Sequence, residues 1–178
     1  MYSRYRNYYL FRNRKPEEVT WIRSSDCVEL AANLPRPVVL VNGCFDLLHS
    51  GHMRLLFSAR LKAGRKGTLI VAMDSDRRVK ELKGHGRPIL SWIERAVTLN
   101  YMPVNYLVEF DSTDELRTII RDLHPDLRVQ GDDHIGKKTN FPSLQTCFVR
   151  GGGLRTSEII RRCQETAKGN YEDTDQSD

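Results

Sequence analysis

The chain has 178 residues, of which 39% are hydrophobic and 29% charged, and its formal net charge is +5. This composition excludes a disordered chain and suits one domain with a core. Because there is no long apolar run and no signal peptide, we expect a cytoplasmic protein. The four cysteines form no Cys-x-x-Cys pair, which argues against a disulfide framework or a cysteine zinc site. The positive charge favours anionic partners, and nucleotides or sugar phosphates meet this requirement as well as nucleic acid does.

Both ends of the chain differ in composition from the middle. Residues 1–21 begin with MYSRYRNYYLFRNRKP, in which arginine and lysine are mixed with tyrosine and phenylalanine. Such an arm can bind single-stranded nucleic acid, although we favour an arm that packs on the domain or on a partner subunit. Residues 167–178 are polar and acidic, which is typical of a disordered tail. We therefore predict a single domain over 22–166.

Between these ends, short apolar runs alternate with amphipathic helical patterns. In chain order, the predicted elements are a helix over 24–33, a strand over 38–41, a helix over 53–62, a strand over 68–73, helices over 76–82 and 91–101, a strand over 106–110, a helix over 113–123, strands over 127–130 and 146–149, and a helix over 156–164. This alternation predicts an α/β fold with a Rossmann-like, doubly wound parallel sheet. Such sheets bind ligands beyond the carboxyl ends of their strands, where the strand order reverses.

The stretch NGCFDLLHSGH, residues 42–52, follows the first predicted core strand. A zinc site would need ligands beyond His49 and His52, and no recognisable ligand pair supplies them. A turn with two solvent-facing histidines is the plainer alternative. A phosphate site accounts for more of the pattern, because Gly43 allows close approach to the backbone and Gly51 opens a helix whose free N–H groups favour an anion. Histidine donors would supply the positioning and charge neutralisation that nucleotidyl transfer requires.

The motif GCFDLLHSGH resembles the GxFDxxHxGH signature of the cytidylyltransferase-like nucleotidyltransferases. Three further segments resemble, in the same order, the heptose 1-phosphate adenylyltransferase module of the ADP-heptose synthase type. They are SDRRVKELKGHGRP (75–88), YLVEFDSTDELRTIIRDLHPDLRVQGDD (106–133) and RGGGLRTSEII (150–160). The resemblance covers about residues 22–164. It implies transfer of a nucleoside monophosphate from NTP to a sugar or polyol phosphate, with release of pyrophosphate. It also implies Mg²⁺ bound with the NTP, no separate metal site, and a homodimer.

The resemblance implies roles for the residues at matching positions. Those implied in catalysis are His49, His52, Lys83 and Arg95. Those implied in nucleotide binding are Asn42, Gly43, Cys44, Phe45, Gly51, Gly131, Asp132, Arg150, Leu154, Thr156 and Ser157. Those implied in acceptor binding are Asp46, Asp74, Lys80, Arg87 and Asp133. The plainer alternatives are a helix-lead-in acid for Asp46, a charged helix face for the lysines and an ordinary N-cap for Thr156.

Departures from the family pattern leave the base and the acceptor open. QGDDHIGK replaces KGGDY, and GDD followed by GK resembles the glycerol-3-phosphate cytidylyltransferase branch. Arg155 stands where the family has serine, and 136–146 is shorter than the usual insertion. We favour ATP, because the LKGxxRP and TDELRTIIRDLHPD blocks fit that branch, and CTP is the alternative. A nucleic-acid-binding protein on a degenerate transferase fold is the second alternative, and a metallohydrolase has the least support. We therefore do not expect a nucleic acid or a membrane as partner.

Overall fold

A parallel sheet forms the centre of the chain. The computed structural model describes residues 19–137, 141–150 and 155–172. The strands in these ranges are β1 (Thr20–Ile22), β2 (Val38–Gly43), β3 (Thr68–Asp74), β4 (Tyr106–Phe110), β5 (Leu127–Gly131) and β6 (Thr146–Val149). They lie in the order β1-β4-β3-β2-β5-β6, so the chain moves outward from β2 to β3 and β4 and then crosses to β5 and β6. The switch point, where such folds bind ligands, therefore lies between β2 and β5.

Helices connect the strands on both faces of the sheet. They are α1 (Cys27–Ala31), α2 (Ser50–Ala63), α3 (Asp76–Lys83), α4 (Trp92–Leu99), α5 (Thr113–Leu123) and α6 (Thr156–Glu172). The side chains of Ser75, Ser91 and Ser112 cap α3, α4 and α5 by accepting a backbone N–H from the first turn. These caps satisfy donors that the helix cannot pair internally. At the start of α4, Ser91 and Glu94 form a capping box, in which each side chain accepts the other residue's backbone N–H.

The sheet buries side chains on both faces. Leu40 and Ile70 pack against the layer of α1 and α5, in one cluster with Ile119. Val41 and Val71, the next residues along each strand, pack in a second cluster with α2 and α4. All residues of β3 are buried, which explains why TLIVAM is a continuous apolar run rather than an alternating pattern.

The predicted fold class is confirmed by this parallel, doubly wound sheet. The predicted elements over 106–110, 113–123 and 146–149 coincide with β4, α5 and β6. Strand β1 is not among the predicted elements, because three residues at a sheet edge carry no readable periodicity. It pairs with β4, with Thr20 opposite Tyr106, and it begins among residues that we assign to the N-terminal arm.

Helix α6 continues to Glu172, beyond the predicted end at residue 164. Ion pairs at helical spacing support its first turns, since Glu158 lies 2.8 Å from Arg161 and 2.7 Å from Arg162. Residues 1–18 and 173–178, which are most of the predicted arm and half of the predicted tail, lie outside the described residues, so the domain boundaries stay a prediction. None of the helices described here is long and apolar enough to cross a membrane.

Candidate active site

Residues predicted from separate motifs gather at the carboxyl edge of the sheet. They lie at the end of β2, in the turn after it and at the start of α2, at the end of β3 and in the segment that follows it, at the end of β5 and in the turn after it, and between β6 and the first turn of α6. The residues at these places are Asn42, Gly43, Cys44, Phe45, Asp46, His49, Gly51, His52, Asp74, Lys80, Lys83, Arg87, Gly131, Asp132, Asp133, Arg150, Thr156 and Ser157. Arg95 reaches the same edge from α4. Leu154 lies outside the described residues.

The turn after β2 has an unusual backbone conformation. Phe45 has a φ of 50° and a buried side chain, and this conformation is costly for a bulky residue. Its ring centroid lies 5.1 Å from that of His52. A Cβ added to Gly43 would sit 3.5 Å from the phenylalanine ring. Packing thus holds the backbone of the NGCF turn beside the histidines.

Asp46 ties this turn to the segment between α3 and α4. Its buried carboxylate accepts hydrogen bonds from the Nε of Arg87, from the backbone N–H of Ile89 at 2.8 Å and from that of Leu90 at 2.9 Å. These contacts lie within the protein. The geometry therefore favours a positioning role for Asp46 and Arg87, and their contact with the acceptor stays a prediction.

His49 is the N-cap of α2, which begins three residues earlier than the predicted helix. Its Nδ1 accepts a hydrogen bond from the backbone N–H of Gly51 at 3.1 Å. A ring nitrogen that accepts a hydrogen bond carries no proton, so the proton of the neutral ring lies on Nε2. Burial lowers the pKa of His49 and keeps the ring neutral near pH 7. His49 therefore offers one donor of defined tautomer, Nε2–H.

The ring of His52 stacks on that of His49, with 3.9 Å between the centroids. Burial, and then the neighbouring His49, lower the pKa of His52 to about 4. Within the described chain, its buried Nδ1 makes no hydrogen bond of standard geometry, although the nearby carbonyl of Leu47 raises the pKa. Because an anion favours the protonated imidazole, a bound phosphate would raise the pKa of both histidines and strengthen both donors.

Charges on the two sides of the switch point act on one another. Burial raises the pKa of the Cys44 thiol to about 12, and the charge of Lys83, in the last turn of α3, acts in the opposite direction. Burial lowers the pKa of His134, and Lys83 is among the cations that lower it further. Asp133, after β5, opposes the effect of burial on His52. Lys83 and the turn after β5 therefore lie within electrostatic reach of the switch point, where folds of this type bind ligands in a crevice.

Arg95 is wholly buried and holds three elements of this edge together. Its guanidinium donates to the Cys44 carbonyl, to the Asp74 carbonyl at 2.9 Å and to Asp76 Oδ1 at 2.7 Å. The Asp74 carboxylate accepts from Arg78 Nε at 2.7 Å and from Cys44 Sγ at 3.4 Å. Because these groups are used within the protein, the geometry favours positioning roles for Arg95 and Asp74. Their direct contacts with substrate stay predictions.

Arg128, a buried arginine on β5, is not among the predicted site residues. Its Nε and Nη2 donate to Asn42 Oδ1 at 2.9 and 2.7 Å, and its Cζ lies 4.7 Å from the centroid of the Phe141 ring. Burial lowers its pKa to about 10. The sequence does carry a signal for this residue, namely an arginine within the apolar strand sequence LRV. Because arginine is rarely buried without a partner, such a position indicates a buried polar contact.

The first turn of α6 is a further feature that suits a phosphate. Thr156 and Ser157 form this turn, and the free N–H groups of such a turn favour phosphate.

No group of three or more His, Cys, Asp or Glu side chains in the described ranges could hold a metal ion. Magnesium that arrives with a triphosphate takes most of its ligands from phosphate oxygens and water.

Comparison with known proteins gives a family and partial relatives. A family model described as Cytidylyltransferase-like matches residues 40–150. The Bifunctional protein HldE of Campylobacter curvus (strain 525.92) is 44% identical over 139 residues, which cover 75% of this chain and 28% of that protein. HldE of Histophilus somni (strain 129Pt) is 37% identical over 140 residues, which cover 78% of this chain and 28% of that protein. The chain thus spans less than a third of the length of these relatives.

Two solved structures share the fold. The macrolide-efflux protein from Streptococcus pneumoniae has a TM-score of 0.53 and 24% identity, and the match covers 74% of this chain and 58% of that chain. The pantoate-beta-alanine ligase from Francisella tularensis has a TM-score of 0.50 and 10% identity, with 74% of this chain and 67% of that chain covered. At these identities the similarity is one of fold alone.

Proposed function

The chain belongs to the cytidylyltransferase-like family of nucleotidyltransferase enzymes, and from this premise we propose that it transfers a nucleoside monophosphate from NTP, with ATP favoured, to a sugar or polyol phosphate. The observation that supports this most is the stacked pair of His49 and His52 in the first turn of α2, beside the switch point. Burial favours the neutral form of both rings, and His49 keeps one N–H for a phosphate oxygen. The resemblance to the ADP-heptose synthase type favours heptose 1-phosphate as the acceptor.

In the proposed reaction, an oxygen of the acceptor phosphate attacks the α-phosphorus of the NTP. A bond forms between these two atoms, the bond from the α-phosphorus to the bridging oxygen breaks, and pyrophosphate leaves with the electron pair. Negative charge grows on the phosphate oxygens, so donors placed there stabilise the transition state. We assign this task to His49, His52 and Lys83. No side-chain nucleophile is needed, and the Cys44 thiol, with a pKa of about 12, is protonated at neutral pH.

The other residues of the edge divide between the two substrates. We assign the backbone after β2, the glycine in the first turn of α2 and the first turn of α6 to the triphosphate, and we assign Lys80 and Asp133 to the acceptor. Magnesium enters with the triphosphate and neutralises part of its charge. A cytoplasmic location and a homodimer belong to the same proposal, and they rest on the composition and the resemblance alone.

A CTP-dependent cytidylyltransferase with a glycerol-3-phosphate-like acceptor is the second candidate. The acidic turn after β5 favours it, because Asp132 and Asp133 stand at the switch point in the GDD–GK pattern of that branch. The nucleic-acid-binding alternative depends on residues 1–16, which lie outside the described part of the chain. The close packing of His49, His52 and Phe45 supports a retained catalytic site instead.

An assay of pyrophosphate release tests the proposal. ATP, CTP, GTP and UTP are each combined, with magnesium, with heptose 1-phosphate, glycerol 3-phosphate and other sugar phosphates. We expect release with ATP and a sugar 1-phosphate. Release with CTP and glycerol 3-phosphate would establish the second candidate. Nucleotide binding without release would point to an acceptor outside this panel, and absence of nucleotide binding would contradict nucleotidyl transfer.

A further inference from the structure

The arginine on β5 differs from the arginines on the α3–α4 side of the carboxyl edge of the sheet. Those on the α3–α4 side each pair with a carboxylate: Arg78 with Asp74, Arg87 with Asp46, and Arg95 with Asp76. Arg128 has no carboxylate at ion-pairing distance among the described residues, and it is only 5% exposed. A buried cation without a counter-charge costs free energy. The hydrogen bonds of its guanidinium to Asn42 indicate its role at this edge.

Arg128 determines how the amide of Asn42 is turned. Two N–H groups of the guanidinium converge on one side-chain oxygen, because the opposite orientation would set the amide NH₂ against two donors. Nδ2 therefore points its protons away from Arg128, and it donates to no other residue in the part of the chain described here. Asn42 is half-buried and directly precedes Gly43, the last residue of β2. The result is an amide donor of defined orientation at the switch point.

This donor lies on the opposite face of β2 from the histidine pair. Asn42 lies two positions after Leu40 and therefore on the same face of β2. Leu40 packs in the layer of α1 and α5, whereas α2 with its histidines covers the other face. Because side chains of a strand alternate between faces, a ligand group at Asn42 differs from the group at the histidines. The charge of Arg128 also reaches the crevice, since it adds to the effect of burial in lowering the pKa of His134.

We propose that Arg128 is a positioning residue that determines specificity: it holds the Asn42 amide as a donor, backed by a buried positive charge, for a phosphate oxygen on the α1–α5 side of the crevice. This role rests on the proposed function, in which both substrates carry phosphate. The oxygen belongs either to the NTP or to the phosphorylated acceptor, and the recognition chemistry is the same. An uncharged group in this position would leave the charge of Arg128 uncompensated, so the crevice discriminates against it.

Four variants separate this role from a merely structural one. Arg128→Met removes the charge and the planar fork but keeps an unbranched side chain, and Arg128→Lys keeps the charge without the fork. Asn42→Asp gives Arg128 a counter-charge and removes the amide donor. Arg121→Met is the matched control, because Arg121 is exposed in the last turn of α5, at the other end of the sheet, and its loss changes the net charge equally.

Steady-state kinetics with ATP and heptose 1-phosphate, or with the active pair from the panel above, give the first readout. We expect Arg128→Met to raise the KM for one of the two substrates by about ten- to a hundredfold with little change in kcat, which corresponds to the loss of a charge-supported hydrogen bond. Arg128→Lys should lie between Arg128→Met and the wild type. Asn42→Asp should raise the same KM further while stability to urea does not fall, because aspartate pairs with Arg128. The KM that moves identifies the substrate that carries the phosphate.

Unchanged KM values for both substrates in Arg128→Met, together with a change in urea stability alone, would overturn the inference and leave nucleotidyl transfer intact. Equilibrium binding of inorganic pyrophosphate gives a second readout that needs no turnover. If the wild type is inactive with all pairs and binds no nucleotide, the proposed function fails on its own. In that case weaker pyrophosphate binding by Arg128→Met than by Arg121→Met still supports the role of Arg128, and equal or absent binding overturns it.

Discussion

Two groups of polar side chains share the carboxyl edge of the sheet, and they differ in whether their charges are compensated. The paired cluster lies on the α3–α4 side and consists of Asp46, Asp74, Asp76, Arg78, Arg87 and Arg95. The open cluster surrounds the switch point and consists of His49, His52, Lys83 and Arg128. In the described residues, no member of the open cluster pairs with a carboxylate. Paired charges fix the turns of the protein, whereas unpaired donors remain available to an anionic ligand.

The two clusters are connected through the backbone. Asp46 and Arg95 of the paired cluster hold, respectively, the turn after β2 and the carbonyl of Cys44 within that turn. The same turn leads into α2, where the histidines of the open cluster begin the helix. A change in the paired cluster should therefore act first on stability, and a change in the open cluster should act first on turnover.

The largest effect is expected from the histidines of the open cluster. His49→Ala and His52→Ala should each reduce turnover by about two to three orders of magnitude, because each removes a donor to the transition state. Urea denaturation should show a fold that persists. His124→Asn is the matched control, since this histidine is the C-cap of α5 with a φ of 45°, a conformation that asparagine tolerates. Near-normal turnover in either alanine variant would remove the histidines from the mechanism.

A change in the paired cluster tests whether its ion pairs and hydrogen bonds stabilise the fold. Arg95→Met should lower the free energy of unfolding by about 3 kcal/mol, because it leaves two buried carbonyls without donors and removes the cation that pairs with Asp76. Urea denaturation measures this loss. Arg77→Met is the control, because Arg77 pairs with Asp111 and Glu81 on the surface and exposed pairs contribute little. Equal stability of the two variants would mean that the paired cluster is not what holds this edge.

The pH dependence of stability sharpens the comparison further. The pKa of His52 is about 4 in the folded protein against an ordinary value of 6.5, so between these values the unfolded chain binds more protons. The free energy of unfolding should therefore fall as the pH decreases from about 6.5 towards 4, by at most about 1.4 kcal/mol per pH unit from this residue. Urea denaturation across this range should show a smaller slope in His52→Gln. An identical slope would indicate a histidine that titrates as in a peptide.

The smallest effect concerns Cys44, which lies between the two clusters. Its thiol donates to Asp74, and burial raises its pKa to about 12, so little thiolate exists at pH 8. Brief treatment with iodoacetamide should label the exposed Cys163 and leave Cys44 largely unmodified, as measured by mass spectrometry of peptides. Labelling of Cys44 at the rate of Cys163 would show that the turn after β2 opens in solution.

Much of the fold was predictable because its signals are local. Strands such as TLIVAM are buried on both faces, so each is a short apolar run, and α5 carries its serine cap and its acidic first turn in adjacent residues. The position of the candidate site was predictable for the same reason, since the HSGH stretch and the segment around Lys83 both follow strands. Strand β1 was not, because three residues at an edge have no periodicity to read.

The sequence by itself determined the class of fold and the edge of the sheet at which the candidate site residues gather, because both follow from signals between residues close together in the chain. Only the tertiary structure decided which of those residues are free to meet a ligand. Arg95 pairs with Asp76 and bonds to Cys44, and Arg128 turns the amide of Asn42, although 19, 51 and 86 positions separate these partners. Such contacts depend on how the strands are ordered in the sheet. No periodicity or motif within a single segment encodes them.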